Sequence, residues 1–366
     1  MKILNIIQCT NLGGMEQSTV TRCIELKKQG HDVSILSLQS LGPISIRLEK
    51  AGIPVRSIGY RGKTDILSIL KVVRIIQSRS FDVICLTGHN FHAALAVCLT
   101  RTPEKIQFLH YHHFENGKPT APWRPYYMLA DRAFTKIVFC SNFIEAQALG
   151  IYPSMFMKTR VIHDPLHYKP SCSEADKNSY RQRLGIPTQN NIIGNAGWFI
   201  QRKRYDVFLQ TAKKILAKTQ CVSFVLAGNG PEKENLEAYA KSLGIEKHVF
   251  FIDWVEKMSD FYHCLDVLLF NSDYEAMGLT PLEAILHNVP TVMSVTHGDI
   301  SRFFENIHPR LAYSNHDIVA LSDVIIKILS DSVMRTRVLE EQKQAVLDSF
   351  SKEKHLEEFL KLVQTK

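Results

Sequence analysis

The sequence predicts an α/β protein of two Rossmann-like, doubly wound domains facing a central cleft, and three observations carry that expectation. Apolar runs of strand length alternate with helix-length stretches from the first residue. The alternation breaks once, between about Asp164 and Pro187, where DPLHYKPSCSEADKNSYRQRLGIP mixes prolines with polar residues, and then restarts. A chain of 366 residues exceeds one ordinary core and suits two domains of middling size.

The elements follow in order. KILNIIQ reads as a first strand, Met15 to Gln29 as a helix, and DVSILSL as a second strand after the turn signal Gly30. A helix around Ile44 to Ala51, strand PVRSIG, helix Asp65 to Arg79, strand DVICLT and helix His92 to Leu99 continue the pattern. Strand KIQFLH, helix Arg124 to Ala130 and strand KIVFCS complete a domain over residues 1–165. Strands separated by helices imply a mostly parallel sheet covered on both faces. The second domain, 180–350, restarts with NIIGNAG, helix Tyr205 to Ala217, VSFVLAG, helix Glu232 to Leu243 and HVFFID. It goes on with a helix around Met258 to His263, VLLFNS, helix Pro281 to His287 and PTVMSV. Residues from about Asp317 to Gln364 read as helical, with 351–366 crossing back to the first domain.

Composition is that of a globular chain, 45% hydrophobic and 22% charged. The N-terminal apolar run is short and meets Asn, Thr and paired glycines, so it reads as a strand and not as a signal peptide. No apolar stretch approaches the ~20 residues of a membrane span, so the expected location is the cytoplasm. Eight scattered cysteines, without ligand spacing, read as buried thiols. Residues 1–165 hold 20 Lys and Arg against 11 Asp and Glu, while the remainder holds 24 against 25. A basic first half suits nucleic acid, an anionic membrane surface or a phosphorylated substrate, or serves solubility alone.

The most informative segment is NSDYEAMGLTPLEAILHNVPTVMS. Glu275 and Glu283 are separated by seven residues, and Gly278 precedes a helix expected to start at Thr280 and Pro281. A helix start offers unpaired N–H groups and the positive end of its dipole to a diphosphate. Thr280-Pro281-Leu282-Glu283 is also a capping box, which gives Glu283 a competing structural role.

A Glu-x7-Glu pair at this place in a second Rossmann-like domain resembles glycosyltransferase family 4. That resemblance covers nearly the whole chain and implies the GT-B fold, metal-independent transfer with retention of anomeric configuration, and no cofactor. It implies that Glu275 contacts the donor sugar, that Glu283 contacts the ribose, and that the loop N–H groups of Gly278, Leu279 and Thr280 hold the diphosphate. NAGWFIQRKRYDVFL matches the family's Gly-Arg-Leu…Lys-Gly segment at Gly197 and Lys203, with Trp198 standing in the arginine position and Arg204 in place of the later glycine. Arg202 or Arg204 would supply the missing cation beside Lys203.

Three further segments join the resemblance. Gly228 and Gly230 of VLAGNGP read as a strand-to-helix turn, which the resemblance implies lies near the nucleotide, with Phe251 to Val255 flanking the base. In NLGGMEQSTV the turn Gly13-Gly14, with Glu16, resembles the family's Gly-Gly-x-Glu approach to donor phosphates and acceptor. A family histidine facing the donor sugar falls on His110, His112 or His113 of QFLHYHHFENG, His110 following the strand directly; three histidines without a matched carboxylate make a poor zinc site. Trp123-Arg124-Pro125-Tyr126-Tyr127 suits a membrane interface or an acceptor, and the helix at Ile66 to Ile76, with Lys71, Arg74 and Arg79, suits lipid contact or a core face.

The expected activity is transfer of a hexose-type sugar from a UDP- or GDP-sugar to a glycan or lipid-linked acceptor in bacterial polysaccharide or lipopolysaccharide biosynthesis. Peripheral contact with an anionic inner membrane face goes with it, and nucleic acid is not an expected partner. A sugar-nucleotide epimerase, a phosphorylase or an inactive homologue would keep the fold; a basic nucleic-acid-binding protein would not use the second domain.

Overall fold

A computed structural model describes all residues except 12, 63, 111, 112, 116, 117, 167–173, 256, 310, 312–315, 365 and 366. The chain forms two compact units, Met1–Leu166 with Phe350–Lys366, and His167–Ser349.

Unit 1 begins β1 (Lys2–Ile7), α1 (Gly14–Lys28), β2 (Asp32–Ser37), α2 (Ser45–Lys50), β3 (Val55–Ser57), α3 (Leu67–Gln77), β4 (Val83–Thr87), α4 (Phe91–Cys98) and β5 (Glu104–Leu109). A small antiparallel pair, β6 (Phe114–Glu115) and β7 (Lys118–Pro119), precedes α5 (Trp123–Ala133), β8 (Lys136–Phe139), α6 (Asn142–Ile151) and β9 (Thr159–Val161). The sheet order is β3-β2-β1-β4-β5-β8-β9, and every recorded pair in it is parallel. Its strands are apolar runs because parallel strands are buried on both faces. The β6–β7 pair, α6 and β9 were not expected; α6 is announced by Ser141, whose hydroxyl accepts from the Ile144 N–H at 3.2 Å.

Unit 2 contains α7 (Glu174–Arg183), β10 (Asn191–Ala196), α8 (Tyr205–Leu216), β11 (Val222–Ala227), α9 (Lys233–Ser242), β12 (Val249–Ile252) and α10 (Met258–Cys264). It continues with β13 (Val267–Tyr274), α11 (Leu279–Leu286), β14 (Thr291–His297), α12 (Asp299–Ile307), α13 (Ile318–Ser330) and most of α14 (Ser332–Phe350). Its parallel sheet runs β12-β11-β10-β13-β14. The stretch read as linker thus includes a helix: Arg181 of α7 is buried and donates to Asp266 at 2.7 Å and to the Cys264 carbonyl, tying α7 to α10.

The last helix, α15 (Lys352–Gln364), belongs to unit 1. Leu356, Phe359 and Leu362 share a stripe at helical spacing and pack into the core formed by α1 and the β1, β2, β4 and β5 side chains. Burying such a side chain stabilises by about 1.5–3 kcal/mol each. The same packing buries Arg22, whose guanidinium lies 3.9 Å from the Phe108 ring centroid and donates to Asn5 Oδ1 at 3.4 Å. Among the described residues there is no disulfide; Cys23, Cys85 and Cys264 are buried as expected of apolar thiols, whereas Cys221 is exposed.

Candidate functional site

In unit 2 the residues singled out from the sequence converge at the carboxyl ends of β10, β11 and β13. Glu275 follows β13 directly, and its Oε1 accepts from Arg202 Nη1 and from Lys203 Nζ, each at 2.5 Å. Arg202 also donates to the Tyr274 carbonyl at 3.0 Å, which fixes the guanidinium against the strand end. The Lys203 ammonium lies 4.9 Å from the Phe270 ring centroid. Burial pushes the Lys203 pKa below its ordinary value, helped by Arg202; Glu275 opposes this without cancelling it. Two cations against one carboxylate leave the cluster with a surplus positive charge, the electrostatic requirement of an anion site.

The Glu275 loop is held by close backbone approach. Glu275 N–H donates to the His297 carbonyl at 2.9 Å, and a Cβ on Gly298 would overlap the Glu275 carbonyl. Gly298 escaped the sequence reading; its only signal is a glycine between strand and helix in HGDI. Gly228 and Gly230 have the same kind of role, since a Cβ on either would overlap the backbone of Gly197 or Phe199. Those glycines bring two loops of the site together and owe their identity to packing.

α11 begins at Leu279, earlier than expected, with Gly278 as its N-cap at φ 61°. The capping-box reading of Thr280 and Glu283 is therefore overturned: Glu283 lies beyond the first turn and accepts from the Tyr262 hydroxyl at 2.7 Å. Burial raises its carboxyl pKa, and the Tyr262 hydrogen bond only partly offsets that. Gly278, Leu279 and Thr280 present the first turn of the helix beside the cluster, where backbone N–H groups lack intrahelical partners.

Geometry separates Arg202 from Arg204. Arg204, in left-handed conformation at φ 47°, pairs with Asp206 at 3.0 Å and with Asp273 at 2.8 Å. The Asp206 hydrogen bond above all raises its pKa. Arg204 thus faces carboxylates of its own, and Arg202 is the cation beside Lys203. Trp198 is 59% exposed and meets the 53% exposed Trp254 edge to face, with ring centroids 5.0 Å apart. Tyr205, also missed from the sequence, is buried next to the cluster, its hydroxyl without a hydrogen-bond partner among the described residues.

In unit 1, α1 starts at Gly14 with Gly13 as N-cap. A Cβ on Gly13 would overlap the Glu16 carboxylate, which is folded back over the helix start and is largely buried. Glu16 lies in the first turn of the helix, where its charge meets the positive end of the dipole. His110 Nε2 lies 2.8 Å from Asp164 Oδ1, which also accepts from the Ser18 hydroxyl at 2.5 Å. Burial alone would raise the Asp164 pKa; His110 and Ser18 outweigh it and hold the carboxyl below its ordinary value. Asp164 lay in the stretch read as linker, so sequence reasoning did not find this partner.

His113 is a correction. It is fully buried, meets Trp123 at a tilt with ring centroids 4.5 Å apart, and hydrogen-bonds Tyr127 and Gln147, so it packs the core and has no face for an acceptor. Trp123, Tyr126 and Tyr127 are buried with it, which overturns their reading as membrane-interface aromatics. His112 lies outside the described residues. At the carboxyl edge of the unit 1 sheet a cavity of about 670 Å³ is lined by Gln8, Tyr60, His89, Asn90, Phe91 and Thr120, among others.

The sequence pattern of Glycosyl transferases group 1 matches residues 176–345, and that of Glycosyltransferase Family 4 matches residues 12–166. The chain belongs to this glycosyltransferase family, and its fold is GT-B.

Among curated relatives, the O-antigen biosynthesis glycosyltransferase WclY of Escherichia coli is 33% identical over 34% of each chain. The lipopolysaccharide core biosynthesis glycosyltransferase LpsE of Rhizobium meliloti is 26% identical over 51% of this chain and 53% of its own. The matched stretches therefore span from a third to about half of those relatives. The crystal structure of Anabaena Alr3699/HepE in complex with UDP and glucose superposes over 100% of both chains with TM-score 0.85 at 17% identity. WaaG, a glycosyltransferase involved in lipopolysaccharide biosynthesis, superposes over 100% of both chains with TM-score 0.72 at 16% identity. At such identities the likeness speaks for the fold alone.

Proposed function

We propose that this chain is a retaining, metal-independent hexosyltransferase that uses a nucleoside-diphosphate sugar, UDP-linked in the first instance. Its acceptor would be a glycan or lipid-linked hydroxyl in bacterial polysaccharide or lipopolysaccharide assembly, met at the inner face of the cell membrane. The observation that carries the reading is the sharing of the Glu275 carboxylate by Arg202 and Lys203 beside the start of α11. The names of the relatives in O-antigen and lipopolysaccharide core biosynthesis, and the UDP in the HepE structure, support the pathway class and the donor.

In this reading Arg202, Lys203 and the N–H groups at Gly278, Leu279 and Thr280 bind the diphosphate. They stabilise the negative charge that builds on it as the bond from anomeric carbon to phosphate oxygen breaks. Glu275 accepts from sugar hydroxyls, and the Glu283 oxygen not held by Tyr262 accepts from the ribose. Trp198 and Trp254 offer an aromatic surface to the base. The acceptor oxygen bonds to the anomeric carbon on the face the phosphate leaves, and its proton goes to the departing phosphate. Unit 1 supplies the acceptor side through the cavity beside His89 and Asn90 and, outside that lining, through the Gly13-Gly14-Glu16 turn at the α1 start and His110 oriented by Asp164.

A thermal-shift series with UDP, GDP and ADP, with and without EDTA, is the first test. Stabilisation by UDP that EDTA leaves unchanged is expected, followed by transfer from a UDP-hexose to give an α-linked product by NMR. A response to GDP alone would move the donor, inversion or an epimerised free donor would change the reaction, and no nucleotide response would sink the reading.

A further inference from the structure

The cavity of about 670 Å³ at the carboxyl edge of the unit 1 sheet has a lining that its surroundings do not foretell. Residues 1–165 hold 20 Lys and Arg against 11 Asp and Glu, yet no Lys, Arg, Asp or Glu is among the described residues that line it. Its wall is built from the segments that follow β1, β2, β3 and β4, closed by the loop before α5 and by Tyr126. Open parallel sheets bind ligands at this edge, so what these segments present there decides the chemistry of the ligand.

Three carboxamides supply hydrogen bonds without charge. Asn90 Nδ2 donates to Gln8 Oε1 at 3.1 Å, and Asn90 Oδ1 accepts from the Ala93 N–H at 2.9 Å. Both amide planes are thereby fixed, and the Gln8 Nε2 donors have no partner among the described residues. Gln39 is engaged through its backbone, its N–H donating to the Gln8 carbonyl at 2.9 Å and its own carbonyl accepting from Ser37 and Ser57, while its carboxamide stays exposed.

Rings supply the rest of the wall. The Tyr60 hydroxyl donates to His92 Nδ1 at 3.2 Å, and Phe91 meets Tyr126 edge to face with ring centroids 5.3 Å apart, so the rings hold one another in place. The Tyr126 hydroxyl is committed to Gln107 Oε1 at 2.7 Å, which leaves its ring to the cavity. Phe91, at 39% exposure, keeps an open ring surface. Burial holds the His89 pKa below its ordinary value, so this imidazole is neutral near pH 7.

Such a wall selects among ligands. A pyranose carries C–H bonds on its face and hydroxyls around its rim. The electron-rich face of an aromatic ring attracts the first, and carboxamides both donate to and accept from the second. A carboxylate or phosphate entering here would lose its water and meet no cation, a cost that a hydroxyl with partners escapes. A nucleotide could stack its base on the rings, but its phosphates would need the cations that the lining lacks.

We propose that this cavity holds the terminal sugar of the acceptor and that this sugar is an uncharged pyranose, not a uronate or a sugar phosphate. Tyr60 and Phe91 stack on its C–H face while Gln8, Gln39 and Asn90 pair with its hydroxyls. Any charge on a longer acceptor lies outside the cavity. This rests on the reading of unit 1 as the acceptor side.

The test uses the full chain in saturation-transfer NMR titrations, with and without UDP. The probes are methyl glycosides of glucose, galactose, mannose and N-acetylglucosamine, each beside its uronate or 6-phosphate counterpart. At least one neutral glycoside should bind roughly tenfold or more tightly than its charged counterpart. Phe91→Ala should weaken that binding about tenfold, and Gln39→Lys should strengthen uronate binding roughly fivefold. Melting temperature checks the fold of each variant; if Phe91→Ala lowers it, Phe91→Leu removes the ring face and keeps the bulk. Equal or tighter binding of the charged counterparts overturns the proposal, as does the absence of binding by every neutral glycoside or unchanged binding in both variants. Preference for charged glycosides with a UDP thermal shift intact removes the sugar class and leaves the transferase standing. Neutral-glycoside binding without any nucleotide response removes the transferase reading and leaves the sugar site.

Discussion

The Glu275 carboxylate accepts from Arg202 and Lys203 through the same oxygen, at 2.5 Å from each. One anionic group therefore organises two cations that lie 73 and 72 residues before it. Glu275→Gln should leave UDP affinity equal or higher, because the cations lose their competitor, while transfer falls about 100-fold or more through loss of sugar contacts made in the transition state. Lys203→Ala should weaken UDP binding at least tenfold. Calorimetry with UDP beside initial rates separates the two; weak UDP binding by E275Q would contradict the assignment.

Arg202 and Arg204 should behave differently. Arg202→Ala removes a cation from the anion site and should raise the UDP Kd about tenfold. Arg204→Ala breaks pairs with Asp206 and Asp273 that are about a third or more exposed, so it should cost under ~1 kcal/mol of stability and change UDP affinity little. Equal losses of UDP affinity in both variants would count against the choice of Arg202.

Gly278→Ala tests the helix start. The left-handed φ of 61° and a Cβ 3.3 Å from the Phe270 ring both oppose a side chain. A loss of about 1–3 kcal/mol in unfolding free energy, with weaker UDP binding, is expected by denaturant titration and calorimetry.

His355 gives unit 1 an acid sensitivity. It is buried, its Nδ1–H donating to the His163 carbonyl at 2.7 Å, and burial with Arg22 nearby brings its pKa down to about 4. The ordinary histidine value is 6.5, so between those pH values the unfolded chain binds the proton and the folded chain does not. Stability should be insensitive to this group above pH 6.5 and decline by about 3 kcal/mol as pH falls to 4. Denaturant melts of wild type and His355→Gln across that window should show a flatter profile in the variant.

Much of the architecture was legible along the chain. Residue alternation marked the β1, β2, β4 and β10 strands, and EAMGLTPLE marked the loop where a helix start meets an acidic side chain, because those signals are local in sequence. The same locality misled at Thr280 and Glu283, where a capping pattern was available and the left-handed Gly278 started the helix a turn position earlier. It also hid α7, whose polar composition shows no core face but whose Arg181 is buried against Asp266.

The sequence by itself determined the alternation of strand and helix, the placing of the Glu275 loop at a strand end, and the surplus of cations around Lys203. Tertiary structure decided which of them act together. Strand order carries the β10 loop beside the β13 loop, so Arg202 reaches Glu275 while Arg204, two residues on and in a left-handed conformation, turns to Asp273. It likewise gave His110 to Asp164 across 54 positions and consigned His113 to the core. Partnership and burial are through-space properties, fixed by which loops a sheet brings together, and residue spacing carries them only where neighbours in the chain are neighbours in the fold.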